Sequence, residues 1–454
     1  MESKLEGIAS APSVLLEKGI DEAKKLGKEA GEITRVNKAK GFWRGLGPGL
    51  VTGAADDDPS GIATYSQTGA QYNYQFLWLS LLTFPLMSIV QEMCARIGLA
   101  TGRGLAGNIR IYYPRWVLYT CAGLLFVANT LNIGADIGAM AEATRLIVPD
   151  MSFTLLTIII TFTCMLLQIF TPYERYARFL KYLALVLFSY VATMIVAKVD
   201  VQMMLQSTVI PKMQFNQDQI FLVTAILGTT ISPYLFFWQT SHEVEEEILH
   251  GKTTLRLREG TTNKEIRKMR IDVWTGMFLS NFVMFSIIAT CAAVLFSNGI
   301  HTIDSAAQAA EALRPFAGDK AFFLFAIGII GTGLLAIPVL AGSAAYTMAE
   351  SFKWKSGLYR SLKSARAFYG IIIFSLILGL GINFIGIPPF KMLIYSAVVN
   401  GLVAPIILFL IVQMTSNQKV VKERTNHPVI QFFGWFVTLL MVVSGLLTIM
   451  YSFK

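Results

Sequence analysis

Three aspartates in a row, Asp56, Asp57 and Asp58, stand directly before Pro59 and Gly61 in the stretch GPGLVTGAADDDPSGIATYSQTGAQ, whose surroundings are otherwise apolar. Carboxylates among such residues are expensive to keep away from water, and a chain that retains them usually uses them. Pro59 has no backbone N–H to donate and Gly61 tolerates irregular backbone. A helix through this stretch therefore opens, leaving carbonyl oxygens to be satisfied by protein, water or an ion. A carboxylate beside freed carbonyls is, in outline, a hard-oxygen cation site. That chemistry falls chiefly on Asp58; for Asp56 and Asp57 a role in capping a half-helix, or a place near an interface, stays open. A second stretch, ILGTTISPYLFFWQTS, repeats the design with Gly228, Thr229, Thr230, Ser232 and Pro233. For Pro233 taken alone, a kink without function is the alternative.

Such groups need apolar walls, and the composition supplies them. The 454-residue chain is 54% hydrophobic and 15% charged, with a mean hydropathy of +0.55, which is wrong for water-soluble packing. Eleven stretches approach the roughly 20 apolar residues that a bilayer core requires: 48–69, 76–97, 117–147, 152–171, 177–198, 219–241, 272–297, 321–350, 367–386, 390–414 and 430–452. The two interruptions fall in spans 1 and 6. Broken helices at corresponding places in two five-helix halves are the signature of an inverted repeat with a site near the membrane midplane. The expected fold is therefore an all-α membrane protein, with repeat one over about 48–200, repeat two over about 219–414 and an extra helix over 430–452.

With the N-terminus inside, 31 of the 38 Lys and Arg fall on the cytoplasmic side. The positive-inside rule then sets the N-terminus in and the C-terminus out, in a plasma (inner) membrane. The same topology explains the formal charge of +9 without any nucleic acid. The first 45 residues form a polar tail with no secretory-signal pattern; Val14, Leu15, Ile20, Ala23 and Leu26 allow either an amphipathic helix on the inner leaflet or a solvated tail. Cys94, Cys121, Cys164 and Cys291 are far apart in apolar runs and suit core packing. The loop from His242 to Arg270, opening with Glu243, Glu245, Glu246 and Glu247, is expected to be a polar cytoplasmic linker. No nucleophile with base, phosphate loop or catalytic metal motif points to an enzyme or a cofactor.

An ordered set of motifs resembles the Nramp (natural resistance-associated macrophage protein) family of divalent metal transporters: GPG at 47–49, DPSG at 58–61 followed by IAT, GAQ at 69–71, VQEMCARIGLATGRGL at 90–105, and TTISP in span 6. The resemblance implies a LeuT-like fold, alternating access and a divalent metal ion as substrate, held between spans 1 and 6 in a lipid bilayer. The departures are informative. The family's span 1 motif is Asp-Pro-Gly-Asn, so Asp58 and Pro59 match while Ser60 and Gly61 replace the last two residues, the ligating asparagine among them. Its span 6 motif, Met-Pro-His, becomes Ser232, Pro233 and Tyr234. In span 10, Ala397 stands where many relatives have a glutamine, with Asn400 close by. The pattern is similar to the Nramp-related magnesium transporter branch.

A thioether favours late transition metals, whereas oxygen and water suit magnesium and manganese. Mg2+ gives up its waters reluctantly and is usually held by one or two carboxylates with several waters retained. Gly61, Ser232 and Ala397 are smaller than what they replace and leave room for those waters. The expected metal neighbourhood is Asp58, Gly61, Thr229, Thr230 and Ser232, with Ser60, Tyr234, Ala397 and Asn400 around the cavity; for Tyr234 plain packing is the alternative. His242, His250, His301 and His427 lie in loops or at span ends, leaving no buried imidazole as a proton relay. Asp136 and Glu142 of span 3 are turned to different helix faces by their six-residue offset. With Glu92, they are the candidates for a proton or polar path. Gln91 and Glu92 face either the bundle or the inner vestibule. The leading function is uptake of Mg2+, and of Mn2+, without proton coupling; the alternative is a proton-coupled Mn2+/Fe2+ symporter. An amino-acid carrier of the same fold is disfavoured, since Asp58 repels a substrate carboxylate.

Overall fold

The computed structural model describes residues 47–171, 187–197 and 199–452, and all its regular elements there are helical. The chain enters as α1 (Pro48–Asp56), which stops at the aspartates, and restarts behind them as α2 (Pro59–Tyr72). There follow α3 (Leu77–Thr101), α4 (Leu105–Tyr112), α5 (Arg115–Ile147), α6 (Phe153–Phe170), α7 (Phe188–Val196) and α8 (Val201–Val209). A second broken pair, α9 (Gln217–Thr230) and α10 (Pro233–Leu249), leads to α11 (Asn263–Val294), α12 (Ala321–Phe352), α13 (Arg366–Ile382), α14 (Pro389–Thr415) and α15 (Pro428–Ser452). Among the described residues, eight helical stretches are long and apolar enough to cross a membrane. The span expected at 48–69 is divided between α1 and α2, and that at 367–386 is the 17-residue α13. The tail over 1–45 and part of the span expected at 177–198 lie outside the described residues.

Pro59 and Pro233 start helices instead of bending them. A residue before proline is pushed out of the helical region, and both obey: Asp58 has φ −70° and ψ 171°, Ser232 φ −81° and ψ 134°. Each proline then takes the first helical position, where a missing N–H is harmless. Glycines bring the broken helices against their neighbours. A Cβ on Gly49 would lie 2.6 Å from the Val273 backbone nitrogen, and one on Gly53 would overlap the Gly276 carbonyl. Small residues four apart thus let α1 and α11 touch backbone to backbone. Asp272 of α11 completes the contact by accepting from Gly49 N at 2.7 Å and Leu50 N at 3.3 Å, capping α1 from another helix. Gly228 and Gly401 make the same close approach between α9 and α14.

Glu92 ties α3 to α11. It accepts from Arg270 Nη2 at 2.8 Å and Trp274 Nε1 at 3.0 Å, and pairs with Arg96 one turn on. Arg96, 4% exposed, continues to Asn426 at 3.0 Å. Replacing Glu92 with leucine strands that guanidinium, a loss of about 3–5 kcal/mol. A clearly lowered unfolding temperature of the detergent-purified variant is expected; an unchanged one would show that the pair is dispensable.

The acidic run after His242 corrects the expectation of a solvated linker. It forms the last two turns of α10, where Glu243, Glu245 and Glu247 are buried, and His242 lies inside the helix against Trp238. Each of these carboxylates has a partner, one turn back, far along the chain or past the helix end. Glu243 accepts from Gln239 at 2.8 Å, Glu245 from Tyr346 OH and from Leu358 N at 3.2 Å, and Glu247 from Lys252 at 2.8 Å. The four cysteines are buried and free, as core packing requires.

Candidate functional site

Asp58 is the N-cap of α2. Its Oδ1 accepts from Gly61 N at 2.7 Å and from Ser60 Oγ at 2.6 Å. The capping role left open for Asp56 and Asp57 thus belongs to Asp58, whose charge faces the positive end of α2. Its Oδ2 accepts from Asn132 Nδ2 of α5 at 2.8 Å, and Asn132 Oδ1 accepts from Ser396 Oγ of α14 at 2.7 Å. On the other side, Ser60 Oγ lies 3.4 Å from Thr229 Oγ1 of α9. A polar chain Thr229–Ser60–Asp58–Asn132–Ser396 therefore joins four helices through one carboxylate. A carboxylate offers about four acceptor positions. Three are occupied here, so capping and cation binding are compatible.

The other aspartates turn elsewhere. Asp56 Oδ2 and Asp57 Oδ1 accept from the same Ser280 hydroxyl of α11, at 2.7 and 3.3 Å. Of the span 6 positions, Thr230 Oγ1 meets Tyr65 OH at 3.2 Å, and Ser232 Oγ donates to the carbonyls of Gly228 and Thr229 at 2.8 and 2.6 Å. Tyr234 OH donates to Ala55 O at 3.2 Å, bridging the two broken spans. Gly61 is close to Thr229: a Cβ there would lie 3.2 Å from its hydroxyl. Ala397 packs with Ala225 and Val398, while its neighbour Ser396 enters the polar chain.

The fully buried polar atoms without a hydrogen-bond partner among the described residues include Asp56 Oδ1, both oxygens of Asp136 and both amide atoms of Asn400. Asp136 is one turn from Asn132 on α5, and Asn400 one turn from Ser396 on α14, so both continue the faces that hold the chain. Buried polar groups are nearly always bonded to protein, water or an ion. Glu142, by contrast, accepts from Ala306 N at 3.0 Å and fastens α5 to the first residue of the short helix Ala306–Ala310 that precedes α12. Among the described residues no cluster of three or more His, Cys, Asp or Glu is placed to hold a metal. The chain offers Asp58 among hydroxyls, amides and carbonyls, with the carboxylates of Asp136 and Asp56 beside it, oxygen donors of the kind a hard cation takes. Sequence reasoning missed Asn132, Ser396 and Ser280. A signal for the first exists, because Asn129, Asn132 and Asp136 recur at helical spacing in an apolar run.

Residues 49–451 match the family described as natural resistance-associated macrophage protein-like. Among curated proteins, the chain is similar to the divalent metal cation transporter MntH of Klebsiella pneumoniae subsp. pneumoniae, 28% identical over 406 residues, covering 87% of this chain and 91% of that protein. Among solved structures, it superposes on the Eremococcus coleocola manganese transporter with a TM-score of 0.71 at 17% identity, over 90% of this chain and 87% of that one. Inward-facing Mhp1 gives a TM-score of 0.51 at 12% identity, over 89% of each chain. At these identities the structural likeness speaks for the fold, which is the LeuT-like one with its first and sixth helices broken.

Proposed function

The chain belongs to the natural resistance-associated macrophage protein-like family, and from that premise we propose that it carries hydrated Mg2+, with Mn2+ as a second substrate, through the gap between its two broken helices by alternating access. The family moves metal as substrate across a membrane, so the protein is a transporter and not an enzyme, and the ion is its cargo. The observation that carries the reading is the set of unpartnered buried polar atoms on Asp136, Asn400 and Asp56 around the Asp58 chain. The acceptor oxygens among them suit the outward-pointing hydrogens of water that an ion retains. Asp58 supplies the charge, and the carbonyl ends of α1 and α9 supply the negative ends of two helix dipoles.

Softness supports magnesium over iron. Neither Gly61 nor Ser232 brings an amide or a thioether to the site, so late transition metals gain little advantage. Ser232→Met is expected to shift preference toward Mn2+ and Cd2+. Competition of Cd2+ and Mg2+ against Mn2+ uptake into proteoliposomes measures it: Cd2+ inhibits the variant at roughly tenfold lower concentration than the parent. Equal inhibition would place selectivity elsewhere. Gly61→Asn is the less clean partner, because its Cβ presses on Thr229.

The driving force in this reading is the membrane potential alone, with the N-terminus in the cytoplasm and the C-terminus outside. A divalent ion crossing 100 mV gains about 4.6 kcal/mol, enough for roughly a thousandfold gradient. Proton-coupled symport draws its support from Asp136, a buried carboxylate with no hydrogen-bond partner.

A further inference from the structure

At the end of the bundle where α4, α10 and α12 meet, six cations, Arg103, Arg110, Arg258, Lys353, Lys355 and Arg360, line one cavity of about 480 Å3. Glu350 is the single carboxylate among the lining residues. Its Oε2 accepts from Gly107 N at 2.8 Å, in the first turn of α4, and one carboxylate against six cations leaves the lining net positive. Three of the cations donate to neutral carbonyl groups. Arg258 donates to the carbonyls of Lys252 and Thr253, each at 3.0 Å, and Arg110 to the carbonyl of Glu350. Arg360 donates to Ser356 O at 3.0 Å and lies over the Tyr359 ring at 4.9 Å. Arg103 has a long ion pair, 3.9 Å, with the half-exposed Glu259. Among the described residues Lys353 and Lys355 form no ion pair.

A walled cavity with one sign of charge concentrates anions, and guanidinium forks match phosphate oxygens. The rim says which kind of anion. Trp354 lines the cavity and stacks on Phe352 at 5.0 Å, which stacks on Tyr119 of α5 at 5.6 Å. Trp354 is 41% and Trp116 70% exposed. Exposed aromatic side chains at the end of apolar helices mark the headgroup level of a bilayer, and Lys or Arg just beyond a span attract anionic lipid.

We infer that this cavity binds the phosphate of an anionic phospholipid headgroup, at the face that the charge distribution marks as cytoplasmic. Val244 and Ile248 of α10 also line it. A lipid seated there braces the cytoplasmic half of the second broken span, so lipid composition tunes transport without touching the metal site. The binding itself does not depend on which metal is carried.

Delipidated full-length protein in detergent, titrated with phosphatidylglycerol or phosphatidylcholine while its unfolding temperature is followed, tests this directly. Phosphatidylglycerol raises the temperature saturably and phosphatidylcholine does not. The triple variant Lys353→Gln, Lys355→Gln, Arg360→Gln weakens the apparent phosphatidylglycerol affinity by roughly 100-fold. Lys264→Gln, Lys268→Gln, Lys419→Gln, which removes as much charge from exposed positions outside the cavity, weakens it by less than about threefold. Equal stabilisation of the parent by both lipids, or equal weakening by the two triples, would overturn the site. Binding of inorganic phosphate with no preference for phosphatidylglycerol would show a free-anion site and overturn the lipid assignment.

Discussion

Asp58→Asn yields a folded protein whose divalent metal uptake falls by roughly 100-fold or more, since removing one member of a buried charge pair costs about 2–5 kcal/mol. Folding survives because the surrounding polar chain can adapt. The new amide keeps an oxygen for Gly61 N and Ser60 Oγ. Its NH2 then confronts the NH2 of Asn132, and rotation of the Asn132 amide relieves the conflict, turning the Asn132 oxygen toward the new NH2 and the Asn132 N–H toward Ser396 Oγ. Uptake and unfolding temperature measured together separate the two effects. Robust flux in a variant of normal stability would remove Asp58 from the site, whereas lost flux with lost folding would make Asp58 only a cap.

The next largest effect is expected from Gly53→Leu. A Cβ at this position overlaps the Gly276 carbonyl, and neither side has a side chain that can give way. α1 must then leave α11, weakening the Asp272 contacts to Gly49 and Leu50 and the Tyr234 contact to Ala55. Overpacking of this kind costs about 1–3 kcal/mol. It falls on a helix that forms one wall of the proposed metal path, so uptake drops by roughly tenfold or more while the unfolding temperature declines. Gly370→Leu on α13, where a Cβ meets nothing within 4 Å, leaves both unchanged. Parental flux in Gly53→Leu would mean that α1 need not seat against α11.

The breaks were legible in the sequence because their causes are local. Proline forces the residue before it out of the helical region, and three aspartates seldom persist in an apolar run unless the molecule uses them. The fold class followed from two such breaks in matching spans. The partners of Asp58 were not legible: Ser396 lies 264 residues from Asn132, and only packing brings α5 and α14 together. Span 10 drew attention to Ala397 through the resemblance, yet the hydroxyl in the polar chain belongs to the residue before it. The acidic end of α10 was misread for a related reason. Four glutamates within five residues look solvated, and no local pattern announces that Tyr346 and Leu358, 101 and 113 residues along the chain, donate to Glu245.

Mg2+ entry and luminal pH, followed together in proteoliposomes at clamped potentials, test the proposed transport most directly. Mg2+ enters the vesicles, faster as the lumen is made negative, with no change in luminal pH. Absence of Mg2+ entry in vesicles that take up Mn2+ would contradict the substrate assignment. Luminal acidification that tracks metal entry at zero potential, and is lost in Asp136→Asn, would contradict potential-driven uniport and establish proton-coupled symport in its place.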